Sequence, residues 1–257
     1  MSDVLQIHVE RHLAWVSIQK PERMNALAPS EILALASTLE ALDAREDVRV
    51  LILSGSGGHS FCAGVDLKAL SPEEIERFPL PMRGDARNPF ERISELSKPL
   101  IACIEGVAMG GGAELALASD LRLVSSDVRF AFPEAKVGMG ANFASVVLPT
   151  LLPKAVALEL LYTGQPLSAE RGVQHGLFNA AYPAAELRAN VLDLANVIAG
   201  NAPLSVRRLK AMTSKSHGLP ISVGLRLDVG PNPYTSLDRV EGLRAFKEKR
   251  APQFLGH

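Results

Sequence analysis

Hydrophobic positions change their period several times along this chain. They alternate first, at Leu5, Ile7 and Val9 and again at Ala14, Val16 and Ile18, which predicts two strands turning at Arg11 and His12. After a polar loop the spacing becomes helical: Ile32, Leu33, Leu35, Leu39 and Leu42 follow a start at Pro29 and Ser30. Residues 48–53 and 100–104 are short unbroken apolar runs, as expected of strands buried on both faces. The second run leads through Gly110, Gly111 and Gly112 into an Ala/Leu-rich helix ending at Ser119. Short strands are predicted over 121–124, 129–132 and 178–182, and helices over 144–152 and 155–162. Ser168 is a good N-cap for a further helix that Gly176 ends. From Ala184 onward the pattern is helical only, over 185–199, 204–214 and 236–249. Residues 71–98 are charged and proline-spotted, and read as a surface excursion.

Strand–helix units followed by helices predict a mixed α/β core over 1–199 and a helical region over 200–257, divided near Gly200 to Pro203. The chain has 257 residues, 47% of them apolar, enough for a sizeable core. A net charge of −1 without basic clusters argues against nucleic acid or a membrane surface as the main partner. Cys62 and Cys103 stand in apolar surroundings and read as reduced core residues of a cytoplasmic protein. The first residues lack the charge and apolar run of a signal peptide, and no run is long enough to span a bilayer. There is no Cys-x-x-Cys, and His8 and His12 lie in a strand-like stretch, so no metal site is expected. A Gly-x-Ser-x-Gly elbow is also missing, which removes support for a hydrolase triad.

Candidate chemistry gathers between Ile101 and Glu134. A strand, a glycine turn and a helix aim backbone N–H groups at negative charge. Glu114 falls in the first turn of that helix. Glu134 follows Pro133 after a second short apolar segment. If the fold returns Glu134 to the turn, the stretch becomes an oxyanion site flanked by two carboxylates.

Five segments in order resemble the crotonase, or enoyl-CoA hydratase/isomerase, superfamily over nearly the whole length. They are Lys20-Pro-Glu-Arg-Met-Asn-Ala-Leu27, Phe61-Cys-Ala-Gly-Val-Asp-Leu-Lys68, the stretch from Gly106 to Asp120, Phe132-Pro-Glu134 with Gly138, and Glu241-Gly-Leu-Arg-Ala-Phe-Lys-Glu-Lys-Arg250. The resemblance implies an α/β crotonase-like spiral of ββα repeats with a C-terminal all-helical trimerisation region, assembled as a homotrimer or hexamer. It implies an acyl-CoA thioester as substrate and no separate cofactor. By motif position the oxyanion-hole amides fall at Val65 and Gly111, and the two hydratase glutamates at Glu114 and Glu134. Two fixed donors stabilise an enolate oxygen without reorganisation, and losing one typically costs roughly 3 kcal/mol. Hydration of a 2-enoyl-CoA is the implied reaction, with Glu134 supplying the α-proton and Glu114 activating the water.

CoA is expected along Arg23, Ala63, Leu67 and Lys68, with Gly110, Pro133 and Asn142 lining the acyl end, and Phe246 and Lys249 reaching the nucleotide from the same or a neighbouring subunit. Asp66 is expected to fix the loop that presents Val65. Two departures stand out. Where hydratases usually carry a glycine-rich turn, this chain reads Ala141-Asn-Phe-Ala-Ser145. Arg83 and Arg87 lie in the surface excursion and are candidates for a carboxylate at the far end of the acyl group. The rival readings are an isomerase or another enolate-forming crotonase, such as a decarboxylase or ring-cleaving enzyme, and a non-catalytic acyl-CoA-binding scaffold.

Overall fold

A computed structural model describes residues 4–68, 71 and 87–257. Strands β1 (Leu5–Glu10) and β2 (Leu13–Ile18) form the antiparallel hairpin. Its two-residue turn places Arg11 at φ 48° and His12 at φ 69°, the positive angles that match a tight turn to the twist of the strands. From β2 onward the pairing is parallel through β3 (Val50–Gly55), β5 (Leu100–Ile104), β7 (Leu121–Ser125) and β9 (Ala180–Tyr182). A second parallel sheet joins β4 (Ser60–Cys62), β6 (Val107–Met109) and β8 (Arg129–Ala131). The chain therefore alternates between sheets: a longer strand in the first, a three-residue strand in the second, then helix. This is the expected spiral of ββα turns.

The unbroken apolar runs are explained by packing on both faces. Leu51, Leu53, Leu100, Ala102 and Ile104 point into the main core, which also receives α1 (Pro29–Asp43), α2 (Pro89–Ser94) and α3 (Gly111–Ala118). Their alternate neighbours Val50, Ile52, Ile101 and Cys103 pack against Leu187, Val191, Ala195 and Ala199 of α7. That helix spans Ala184–Ala199, after α4 (Asn142–Leu151), α5 (Lys154–Thr163) and α6 (Ala169–Gln174). The chain ends in α8 (Pro203–Ser216), a short α9 (Ile221–Gly224) and α10 (Leu237–Glu248). Among the described residues no helix is long and apolar enough to cross a membrane.

Most predicted elements stand within a few residues of their observed bounds. The three-residue strands β4 and β6 were not predicted, because so short a segment shows no period. Most of the surface excursion, including Arg83, lies outside the described residues.

Candidate active site

Because β4 and β6 are parallel neighbours, both leave their sheet at the same end. The loop after β4 carries Gly64, Val65 and Asp66; the loop after β6 carries Gly110 and Gly111. In the first loop the Gly64 carbonyl accepts the Leu27 N–H at 2.9 Å, and the Asp66 N–H donates to the Leu27 carbonyl at 3.0 Å. This parallel bridge engages the groups on either side of Val65 and turns the Val65 N–H the other way. Asp66 is buried beside it. In the second loop Gly110 has φ 55° and donates to the Ala131 carbonyl at 2.9 Å. Gly111 is the first residue of α3, where an N–H has no acceptor within the helix. The loops touch: a Cβ built on Gly64 would lie 3.1 Å from the Gly111 nitrogen. Among the described residues no backbone acceptor takes up either the Val65 or the Gly111 N–H.

The three glycines have separate reasons. Gly110 needs its positive φ, and Gly111 offers its N–H. At Gly112 a Cβ would meet the Cys62 carbonyl oxygen at 1.9 Å, so a glycine lets α3 lie directly on β4. Asn25 braces the first loop from behind. It is fully buried at φ 57°, and its side-chain amide donates to the Ser56 and Ser60 carbonyls at 3.0 and 2.7 Å. Bracing this loop is the structural role of the polar Lys20–Leu27 motif. Arg23 stands exposed in that loop, and Ala63 is tied to it by an N–H bond to the Met24 carbonyl at 3.0 Å.

Glu114 lies in the first turn of α3 and is only 7% exposed. Its Oε1 accepts the Ala144 N–H at 3.0 Å, and the Phe143 N–H also faces it. Burial pushes its pKa up to about 7; the Ala144 amide opposes the rise, the nearby Glu134 charge adds to it, and the Phe143 amide opposes it. Glu134 comes from a 3-10 turn over Pro133–Val137. Its Oε1 lies 3.2 Å from where a Cβ on Gly110 would be, and its Oε2 is buried without a partner. Burial raises this carboxyl too, against its own backbone N–H. The fold thus returns Glu134 to the glycine turn, and burial favours the protonated form of both carboxyls beside two amides that no described backbone acceptor engages.

Two residues beyond the predicted set support this region, Phe90 beside the glycine turn and Arg122 at the other end of α3. The tip of the Phe90 ring is 3.6 Å from the Cβ position of Gly111, and the Phe90 and Phe143 rings are 5.8 Å apart. At the far end of α3 the buried Arg122 donates to the Ser119 carbonyl at 2.5 Å and the Leu177 carbonyl at 2.7 Å. Neither residue had a signal in the sequence, since each acts through contacts distant along the chain.

Two expectations change. Asn142 and Phe143 do not form a turn ahead of a helix at Ala144: α4 begins at Asn142 itself. The apolar period starts only later, but a helix includes polar residues at its start, and this start supplies the two amides that hold Glu114. Arg87 is engaged by Glu91 and Glu95, which leaves it poorly placed to receive a substrate carboxylate. Phe246 and Lys249 lie on and just after α10, both exposed, and among the described residues no hydrogen bond or ion pair joins them to the oxyanion site. Leu67 and Lys68 are exposed at the edge of the described residues.

A spiral fold, two amides without a described backbone acceptor and two buried carboxyls thus meet at one turn, and comparison with known proteins shows the class of enzyme to which the chain belongs. A family model described as enoyl-CoA hydratase/isomerase matches residues 8–257. The chain is 36% identical over 254 residues to (E)-benzylidenesuccinyl-CoA hydratase of Thauera aromatica, covering 97% of this chain and 98% of that protein. It is 34% identical over 265 residues to carnitinyl-CoA dehydratase of Salmonella typhi, across the full length of both. The crystal structure of an enoyl-CoA hydratase from Bacillus anthracis superposes with a TM-score of 0.88 at 29% identity, over 99% of this chain and 100% of that one. The chain belongs to the enoyl-CoA hydratase/isomerase family and is a hydratase-like enzyme.

Proposed function

We propose that this enzyme adds water across the 2,3 double bond of an enoyl-CoA thioester, through an enolate held by the Val65 and Gly111 amides. The observation that carries the reading is the pair Glu114 and Glu134, brought from two elements to one turn, with the Glu134 Oε2 buried and unpartnered. A structural carboxylate would have its oxygens satisfied. An isomerase needs only one group to carry a proton between carbons, whereas hydration needs a base at the water and an acid at the α-carbon.

The thioester carbonyl lies between the two amides. Glu114, pinned by Ala144, takes a proton from water as its oxygen bonds to the β-carbon. The π electrons move to the thioester oxygen, and the amides stabilise the enolate. Glu134 then delivers its proton to the α-carbon on the same face as the water, and proton exchange between the carboxyls restores the starting state. Burial favours the protonated form of both carboxyls, and substrate covering the less buried Glu134 adds to that burial and favours its role as the acid.

CoA lies along Arg23, Ala63, Leu67 and Lys68, with Asp66 holding the loop. Gly110, Pro133 and Asn142 border the acyl end, and Phe90 and Phe143 add an aromatic wall. The two relatives named above differ in the acyl group their names give, so a panel of straight, branched and aryl enoyl-CoAs identifies the acyl class. Phe246 and Lys249 reach the nucleotide of a neighbouring subunit in a trimer or a pair of trimers. Exposed Leu237, Val240, Leu243 and Phe246 on α10 support such an assembly. The division into a spiral core over 1–199 and a helical assembly region over 200–257 follows the same logic. Buried Cys62 and Cys103 suit a reducing, cytoplasmic setting.

The test is loss of the conjugated absorbance of crotonyl-CoA. Wild type should remove it, and Glu134→Gln should be slower by roughly 10²–10⁴-fold. Equal rates for the two would overturn the assignment.

A further inference from the structure

The carboxyl of Glu134 has to stay beside the glycine turn, yet the turn that carries it gives little support of its own. It is a single 3-10 turn, Pro133–Val137, a form whose hydrogen bonds are poorly aligned. The Glu134 carbonyl accepts the Gly138 and Met139 N–H groups, the second at 2.9 Å, and Ala135, Lys136, Val137 and Gly138 are all exposed. The place of Glu134 Oε1, 3.2 Å from the Cβ position of Gly110, is therefore set from outside the turn.

That support is the segment leaving α5, and it grips the chain on both sides of Glu134. Upstream, the Leu167 N–H donates to the Phe130 carbonyl at 2.7 Å, and the Phe130 N–H donates back to Leu167 at 3.4 Å. At the turn itself, Gly164 is buried against Pro133. A Cβ on Gly164 would lie 3.0 Å from Pro133 Cα and 3.2 Å from the Phe132 carbonyl oxygen, and its φ of 56° favours glycine as well. Downstream, Lys136 Nζ donates to the Gly164 carbonyl at 2.9 Å. The Lys136 ammonium has a second reason to sit there. Helix α5 carries no basic residue in its last turn, and Lys136 brings a positive charge to that end of the helix from another element. Burial and its own backbone N–H set the proton affinity of the Glu134 carboxyl, and the Lys136 charge has no part in it. Lys136 therefore reaches Glu134 through the backbone of the turn and not through its field.

We propose that Lys136 is a positioning residue for hydration: its bond to Gly164 fixes the turn so that the Glu134 carboxyl faces the α-carbon of the substrate. The proposal rests on Glu134 acting as the acid. Lys136 transfers no proton and touches no reacting atom. Losing its bond frees the turn on the downstream side, while the oxyanion loops after β4 and β6 stay held by their own contacts. A displacement of about 1 Å at a reacting group can slow a reaction by roughly 10²-fold, so a small movement of this turn is enough to be measured. The loss falls on kcat, because the loops that receive CoA lie on other elements.

The test is steady-state hydration of crotonyl-CoA by wild type, Lys136→Met, Lys136→Arg, Glu134→Gln and the double variant carrying Lys136→Met with Glu134→Gln. Lys136→Met keeps the side-chain stem without the donor, and should lower kcat roughly tenfold while KM stays within about twofold. Lys136→Arg keeps a donor and the charge, and should return kcat to within about threefold of wild type. The double variant should be no slower than Glu134→Gln, since a turn without its carboxyl has nothing left to position. Gly164→Ala presses on Pro133 from the other side and should show the same split between kcat and KM, which keeps the test open should Lys136→Met fail to fold. A wild-type kcat in Lys136→Met, beside a slow Glu134→Gln, would overturn the positioning role and leave Glu134 as the acid. A double variant slower than Glu134→Gln would also overturn it, because the loss would not pass through the carboxyl. Glu134→Gln at the wild-type rate would remove the reading beneath the proposal, and the proposal with it.

Discussion

Burying the Glu114 carboxyl disfavours its ionised form, and this sets a pH signature. Its pKa is near 4.5 unfolded and about 7 folded, so the folded state binds the extra proton between those values. Stability from this group is fully present below 4.5 and is lost as pH rises through about 7. Full ionisation costs about 3 kcal/mol. Glu114→Gln should therefore unfold at higher denaturant than wild type at pH 8, the difference closing towards pH 4.5, while its turnover falls. Equal midpoints at both pH values would show that the carboxyl is not buried in solution. The glycine beside it gives a second prediction at the same scale. A Cβ at residue 110 presses on Glu134 Oε1 at 3.2 Å and demands φ 55° of an alanine, so Gly110→Ala should lower kcat by more than it raises KM, read from steady-state hydration kinetics. The identities of Glu114, Glu134 and the glycines were legible in the sequence because the chemistry needs those residue types in that order. The groups that tune them were not: an amide from Ala144 carries no residue-type signature.

At the scale of elements, α3 is fixed at both ends. Gly112 lets its start lie against β4, and Arg122 gathers carbonyls at its end. Burial brings the Arg122 pKa down to about 10 against the charge of Asp120, and its hydrogen bonds go to buried backbone oxygens. Arg122→Gln should destabilise the protein by about 2–4 kcal/mol, measured by urea unfolding. A change under 1 kcal/mol would mean that water reaches those carbonyls. The apolar runs of β3 and β5 announced their burial, and α1, α7 and α10 announced their period. The short strands β4 and β6 did not, since three residues in a parallel ladder owe their pairing to neighbours distant in sequence. The start of α4 was missed for a related reason: its first residues are chosen for what their amides bind, not for a buried stripe.

For the whole molecule, the spiral leaves its helical end with an apolar surface. Leu237, Val240, Leu243 and Phe246 of α10 are exposed, Phe246 to 83%, and Ile221 and Leu225 lie bare in and just after α9. Such a surface in one chain of 27.5 kDa is a liability unless copies cover it. Sedimentation should give three or six chains per particle, and Leu243→Asp should shift the mass towards the single chain. A monomer at micromolar concentration in wild type would contradict this. The sequence announced the helical end but not which of its residues are bare, because an interface stripe and a core stripe have the same period.

The central claim is that water and a proton add to one double bond, guided by two carboxyls. Its most direct test is the product formed from crotonyl-CoA in heavy water, followed by NMR. Hydration by the two carboxyls places one deuterium at C2 and a hydroxyl at C3, added to the same face, with neither appearing at comparable rate in Glu134→Gln. Deuterium at C2 without hydroxylation, or a double bond moved to the 3,4 position, would contradict it and assign the enolate to isomerisation instead.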